Sequence, residues 1–278
     1  MRARGWRGYY VGRHGAGHDA FASALADAFT AVWRRVNADF ALNNRRPRTI
    51  SVLCYADTHG YEQAVRLFGE RLLRSGDYTP LGLYLAQIRA VLVFLSPFVP
   101  DFRFALAHEL AHALCDLLVR KRSGRPPAWA EEGYAHLIES ACGTDSSDLQ
   151  RRYLAYFSYC YGHGLALRLR ELLTAVDRHD KLEDCNRLHT EAAVFVGFLN
   201  SVRPARPQVW VVLRAALAGS LRCREEAIAM FEQAFEAPIE MIEAQFIDYC
   251  IDEAKRLKAE PTDRPVRLPR AFYGPKRN

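Results

Sequence analysis

The chain contains, at residues 107–114 (AHELAHAL), a predicted helix that is apolar on nearly every side. Because apolar residues surround the helix axis, we expect this helix to be buried. His108 and His112 are four residues apart and therefore share one helix face. Imidazole and carboxylate groups on a buried helix need partners. A zinc ion coordinated by both imidazoles would be such a partner.

Glu109 follows His108 directly and lies about 100° further round the same helix. It is too far round the helix to be a good metal ligand beside both histidines, but it can reach a water on the open side of the metal. This arrangement is typical of a general base in metal-assisted hydrolysis. The structural alternative is an ordinary helix with two surface or hydrogen-bonded histidines.

A third metal ligand is predicted about twenty positions after His112, in the phrase PAWAEEGYAH (residues 127–136). The polar break at residues 123–127 lets a second helix turn back on the first and bring a carboxylate to the metal. Glu132 is the candidate, with Glu131 as its competitor. Two histidines and one glutamate leave one position of a tetrahedral zinc ion open, as in catalytic sites.

The rest of the chain divides at Pro100 into two parts with different patterns. Before it, an amphipathic helix is predicted at residues 18–40 and apolar strands at residues 49–55, 81–86 and 88–96. After it, the periodicity is almost entirely helical. Helices are predicted at residues 102–120, 128–140, 149–173, 185–201, 208–217, 224–236 and 239–258.

The predicted fold class is therefore α+β. We expect an irregular segment at residues 1–16 and a single domain over residues 17–259. A tail rich in Pro and Arg is expected at residues 260–278. The domain itself should consist of an α/β lobe with a small mixed sheet (17–100) and a helical lobe (101–259).

The two phrases HELAH and WAEEG together resemble the gluzincin zinc metallopeptidases, and most of all their peptidase-MA-like branch. The resemblance extends over residues 20–205, and its motifs are specific within residues 104–140. It implies a zincin-like fold, a zinc cofactor and a peptide or protein substrate. In that clan the ligand glutamate directly precedes glycine, so the resemblance selects Glu132 over Glu131.

Two further positions follow from the same resemblance. Relatives often carry a glutamate seven residues after the ligand glutamate, and Glu139 occupies that position. Such a carboxylate can orient a metal-bound histidine. The alternative is that Glu139 is a charge on the helix surface. Gluzincin aminopeptidases place an oxyanion-stabilising tyrosine where this chain has His189, which can donate the same hydrogen bond. His136, one turn after Glu132, could approach the metal, but it is expected to face away from it or to pack beside it rather than to bind it.

Two departures from the family affect the implied activity. The strand phrase G-x-M-E-N of the aminopeptidases is absent between Leu81 and Phe102, so aminopeptidase activity is not implied and an endopeptidase fits as well. The replacement of tyrosine by His189 motivates an alternative: a non-catalytic, zinc-stabilised module that binds a peptide or protein on a peptidase scaffold.

Composition adds expectations about partners and location. The chain has 278 residues, 38 basic and 32 acidic, with a net charge of +6. This charge gives weak support to a nucleic-acid partner, and a DNA-associated protease would need affinity that falls steeply with salt. The longest apolar run is about ten residues, whereas a membrane span needs roughly 20, so no membrane partner is expected. Seven cysteines without a CxxC, and no signal segment, favour the cytoplasm.

Overall fold

The computed structural model describes residues 2–3, 6–11, 18–42, 49–69, 81–94, 103–119, 126–142, 146–175, 182–221 and 224–263. Within these ranges the fold is α+β and mostly helical, with a small mixed sheet. The chain forms two compact units. The first unit holds the described residues up to 118 together with 141–142. The second unit holds those at 119–140 and 146–263.

The sheet belongs to the first unit and has five strands in the order β1-β2-β3-β5-β4. Their bounds are β1 Arg2–Ala3, β2 Trp6–Val11, β3 Ile50–Tyr55, β4 Gly82–Leu85 and β5 Ala90–Phe94. β2, β3 and β5 run parallel, whereas β1 and β4 pair antiparallel with their neighbours. The predicted pair of strands around residue 87 is thus a hairpin whose first strand, β4, forms one edge of the sheet.

Three helices accompany this sheet: α1 (His18–Phe40), α2 (Thr58–Gly69) and α3 (Arg103–Leu114), the last continuing as a π-helical segment over Cys115–Val119. α3 packs against α1, β4 and β5. α2 packs on the sheet through a buried cluster that includes Tyr61, Val65, Leu92 and Phe94. Every residue of β5 is buried, which explains its uninterrupted apolar sequence.

The second unit is all helical among its described residues. Its helices are α4 (Ala128–Cys142, of which residues 141–142 belong to the first unit), α5 (Ser146–Gly162), α6 (Leu169–Thr174), α7 (Leu182–Val202), α8 (Gln208–Leu217), α9 (Arg224–Phe235) and α10 (Ile239–Arg256). Aromatic side chains form its core. Phe195 contacts Trp129, Phe231 and Phe246, with ring centroids 5.4–5.9 Å apart. Such packing suits the edge-to-face geometry of these rings.

Two predictions differ from the structure. The segment expected to be irregular contains strands β1 and β2. The sequence of β2 is rich in the aromatic and β-branched residues that favour strands. The helix predicted over residues 149–173 is two helices. Gly164, at φ +67°, ends α5, and the Leu165 N–H bonds to the Cys160 carbonyl in the manner of a Schellman cap.

Several predictions fall where nothing is described. The tail from residue 264 onward and the part of the predicted break at 123–125 lie outside the described residues. Among the helices that are described, none combines the length and the apolar character needed to cross a bilayer.

Candidate metal centre

The helix with the two histidines is α3, and it is buried as predicted. Its apolar side chains are inaccessible to solvent: Leu106, Ala107, Leu110, Ala111, Ala113 and Leu114. His108 and His112 lie on one face, with ring centroids 4.7 Å apart in an edge-to-face arrangement. Their Nε2 atoms are 3.0 Å apart. The helix thus presents two imidazole nitrogens at one point.

This separation fits two nitrogens that share one metal ion. Two zinc–nitrogen bonds of about 2.0–2.1 Å at the tetrahedral angle place their nitrogens about 3.3 Å apart. The observed 3.0 Å between Nε2 atoms needs only a small adjustment. In the absence of metal, the same distance suits a hydrogen bond in which one ring carries its proton on Nε2. Imidazole is also a ligand type that zinc prefers.

Glu109 lies against the edge strand. A Cβ atom added to Gly82 would come within 2.5 Å of Glu109 Cγ and 3.1 Å of its Oε1. Gly82 is the first residue of β4 and is buried, so its missing side chain provides the space that Glu109 fills. The carboxylate is therefore confined next to the histidine pair by packing as well as by its place on α3.

On α4, Glu132 is followed by a glycine that permits close helix packing. A Cβ atom on Gly133 would lie 2.5 Å from the Ala192 carbonyl oxygen and 2.6 Å from Val196 Cγ2, both on α7. Only glycine allows the two helix backbones to approach this closely. The same contact brings the first half of α7 beside Glu132, and His189 Nδ1 lies 3.4 Å from Glu132 Oε2.

A mostly buried group of three side chains can hold a metal ion. His108, Glu132 and His136 each offer one ligand atom, and these atoms all lie within 4.8 Å of one another. The side chains of Glu132 and His136 are 13% and 11% exposed. The group contains two of the predicted ligands, His108 and Glu132, together with His136, which is not among the predicted ligands. His112 adjoins it through His108.

His136 lies within hydrogen-bonding distance of two side chains, and all three residues belong to the second unit. Its Nδ1 is 2.7 Å from Glu139 Oε2 and 2.7 Å from the Tyr153 hydroxyl, which itself lies 3.5 Å from Glu139 Oε2. Glu139 is only 8% exposed, so it is not a charge on the helix surface. Burial first, and then the charge of Glu139, raise the pKa of Tyr153 well above its usual value. The phenol therefore keeps its proton.

A second buried acid lies on α7. Glu191 is 1% exposed, and its carboxylate oxygens accept the Leu167 N–H at 3.0 and 3.2 Å. Burial raises the pKa of Glu191 to about 8, against the opposing effects of the Leu167 hydrogen bond and of Arg187. Nothing in the local sequence identifies this residue, because its burial results from packing between helices.

The predicted site residues are thus distributed as follows. His108 and Glu132 lie in one possible metal group, His112 adjoins His108, and Glu139 bonds to a histidine, although that histidine is His136. Glu131 is not a member of this group. Comparison with models of protein families and with curated proteins gives no match to this chain.

Proposed function

We propose that the protein is a zinc-dependent metallopeptidase of the gluzincin type, with a zincin-like fold. Zinc would be held by His108, His112 and Glu132. The observation that carries the proposal is the 3.0 Å separation of the two histidine Nε2 atoms on a buried helix that also carries Glu109. A peptide or protein is the proposed substrate, because the resemblance to the family implies it.

In this proposal each residue has a defined chemical task. Zinc, when bound, lowers the pKa of a coordinated water and polarises the scissile carbonyl. Glu109 removes a proton from the attacking water and delivers it to the leaving amine. The packing of Glu109 against Gly82 supports this task, since it limits the positions that the carboxylate can take. His189 would donate a hydrogen bond to the oxyanion.

The Glu109→Gln variant tests the mechanism directly. The amide keeps the size and hydrogen-bonding capacity of Glu109 but cannot accept the proton. We expect zinc content to match that of the wild type, and hydrolysis of a quenched peptide library to fall by about 10²–10⁴-fold. The control is Glu62→Gln on α2, which should retain full activity. Undiminished hydrolysis by Glu109→Gln would rule out this role.

A second candidate function is a non-catalytic zinc-stabilised module that binds a peptide or protein. The proximity of His136 to His108 and Glu132 favours it, because a further protein donor would complete a closed zinc site of the structural kind. This candidate predicts zinc-dependent folding and peptide binding without cleavage. Release of any new amino terminus by the wild type, lost in Glu109→Gln, would exclude it.

We also propose a reducing, cytoplasmic location. Cys54, Cys142, Cys160 and Cys250 carry free thiols. Burial raises the pKa of Cys54 to about 12, so this thiol is a core residue without nucleophilic character. Thiol titration of the denatured protein, purified without reductant, should find all seven cysteines reduced. Titration of fewer would contradict this location.

A further inference from the structure

α4 repeats, with a different pair of residues, the geometry of the histidine pair on α3. Glu132 and His136 are four residues apart and so share one face of α4. Both side chains are mostly buried, and donor atoms of both lie within 4.8 Å of each other. A carboxylate and an imidazole in this relation are suited to one metal ion.

The partners of His136 determine which of its nitrogens can bind a metal. Nδ1 is 2.7 Å from Glu139 Oε2. A carboxylate oxygen at this distance is placed to accept a hydrogen bond from Nδ1–H, which is the tautomer with no proton on Nε2. In a neutral imidazole Nε2 is then the acceptor. Metal-binding histidines are typically oriented in this way by a carboxylate on the other ring nitrogen.

Tyr153 fixes the same ring from a second helix. Its hydroxyl lies 2.7 Å from His136 Nδ1, and the two ring centroids are 5.0 Å apart. Because Tyr153 stands on α5, it restrains the ring independently of α4. A ring restrained by two neighbours loses little conformational entropy when a metal ion binds to its other nitrogen.

We infer that His136 binds the same metal ion as Glu132 through Nε2, with Glu139 and Tyr153 as its positioning residues. The inference rests on the proposed function only in requiring a metal ion at Glu132. With His108 and His112, His136 completes four protein ligands, which is the number found in closed zinc sites. The resting centre is then closed, and a reactant gains access only when a ligand leaves or the coordination number rises.

Cadmium substitution tests this in the wild-type protein, without any variant. The chain is labelled with ¹⁵N in its histidines and loaded with ¹¹³Cd²⁺, and scalar coupling between metal and imidazole nitrogen is recorded. We expect a coupling to Nε2 of His136, assigned by its absence in His136→Gln. Couplings confined to His108 and His112 would overturn the inference.

Zinc affinity provides a second readout, by competition with a chromogenic chelator. We expect His136→Gln to weaken zinc binding by at least about 100-fold, and Glu139→Gln and Tyr153→Phe by about 10–100-fold, the range seen when residues that orient a ligand are changed. The control is His163→Gln, an exposed histidine that bonds to the Tyr159 carbonyl. Wild-type affinity in both His136→Gln and Glu139→Gln would contradict the proposal.

The outcomes separate this inference from the proposed function. If the wild type binds zinc and cadmium but His136 shows neither coupling nor an effect on affinity, only the role of His136 is wrong. If the folded wild type binds neither metal, the proposed function falls and the role of His136 falls with it. Melting curves of each variant show whether a loss of affinity arises from unfolding instead.

Discussion

At the scale of single residues, Gly82 and Glu109 illustrate how a strand can position the group that we propose as the general base. Glu109 fills the space that a side chain at position 82 would need, with Cγ 2.5 Å from a hypothetical Cβ. Because real atoms do not approach so closely, any larger residue at position 82 must displace Glu109 or move β4. The spacing of the HELAH phrase identifies Glu109, but only the fold identifies the residue that confines it.

Gly82→Ala should therefore lower catalysis while leaving metal binding intact. We expect turnover to fall by about 10–100-fold, since a displacement of about 1 Å in a reacting group has that effect. Zinc content should not change, because the three atoms nearest to the added Cβ all belong to Glu109, which is not a proposed zinc ligand. Gly60→Ala on α2 is the control, as its Cβ meets only the Asp57 side chain at 3.2 Å. Full turnover in Gly82→Ala would mean that Gly82 does not position Glu109.

Glu191 makes a prediction about the pH dependence of stability. Its pKa is raised to about 8 in the folded protein, mainly by burial, whereas an unfolded glutamate titrates near 4.3. The folded state thus binds the proton more tightly. The resulting stabilisation is complete below about pH 4 and is lost as the pH rises toward 8.

Urea unfolding at pH 5, 6.5 and 8 measures this effect. We expect the wild type to lose roughly 2–5 kcal/mol more than Glu191→Gln across this range, since the amide removes the titration. Glu260→Gln, at an exposed position, should follow the wild type. Parallel pH profiles for wild type and Glu191→Gln would show that Glu191 is ionised throughout.

At the scale of elements, helix boundaries follow from local sequence, whereas the contacts between helices do not. α1 and α8 begin and end where the apolar periodicity predicts. The helix predicted over residues 149–173 runs through the break after α5 because apolar residues continue there, although Gly162 and Gly164 indicate a turn or a kink at this point. The hydrogen-bonding partners of His136 are not predictable from the local sequence, because Tyr153 comes from another helix.

The close approach of α4 and α7 at Gly133 gives a prediction at this scale. Gly133→Ala would place a Cβ 2.5 Å from the Ala192 carbonyl oxygen, so the two helices must separate. We expect a loss of about 1–3 kcal/mol in the free energy of unfolding and weaker zinc binding, because the proposed ligand Glu132 adjoins Gly133 and is displaced with it. Both are measured by urea unfolding and chelator competition.

Gly197→Ala on α7 is the matched control for this substitution. Its Cβ would meet only Tyr249 Oη, at an ordinary 3.5 Å. The variant should be neutral or more stable by roughly 0.5–1 kcal/mol, because alanine favours the helix. Equal free energies of unfolding for Gly133→Ala and Gly197→Ala would mean that α4 and α7 do not approach each other as closely at Gly133 as the structure shows.

At the scale of the whole molecule, the sequence predicted the α+β class and the helical character of the chain after Pro100. It did not predict the strand order, because parallel pairing of β2, β3 and β5 joins segments far apart in sequence. The same limit applies to the site. The spacing of His108 and His112 is a local property, whereas the grouping of His108 with Glu132 and His136 depends on tertiary structure.

The most direct test of the account is zinc content, measured by mass spectrometry on the purified wild type and on His112→Ala and Glu132→Ala. A metallopeptidase centre predicts about one zinc ion per chain in the wild type and its loss in both variants. Circular dichroism should confirm that all three proteins are folded. A folded wild type that contains no zinc, even after zinc is added, would contradict the account and leave α3 as a structural helix.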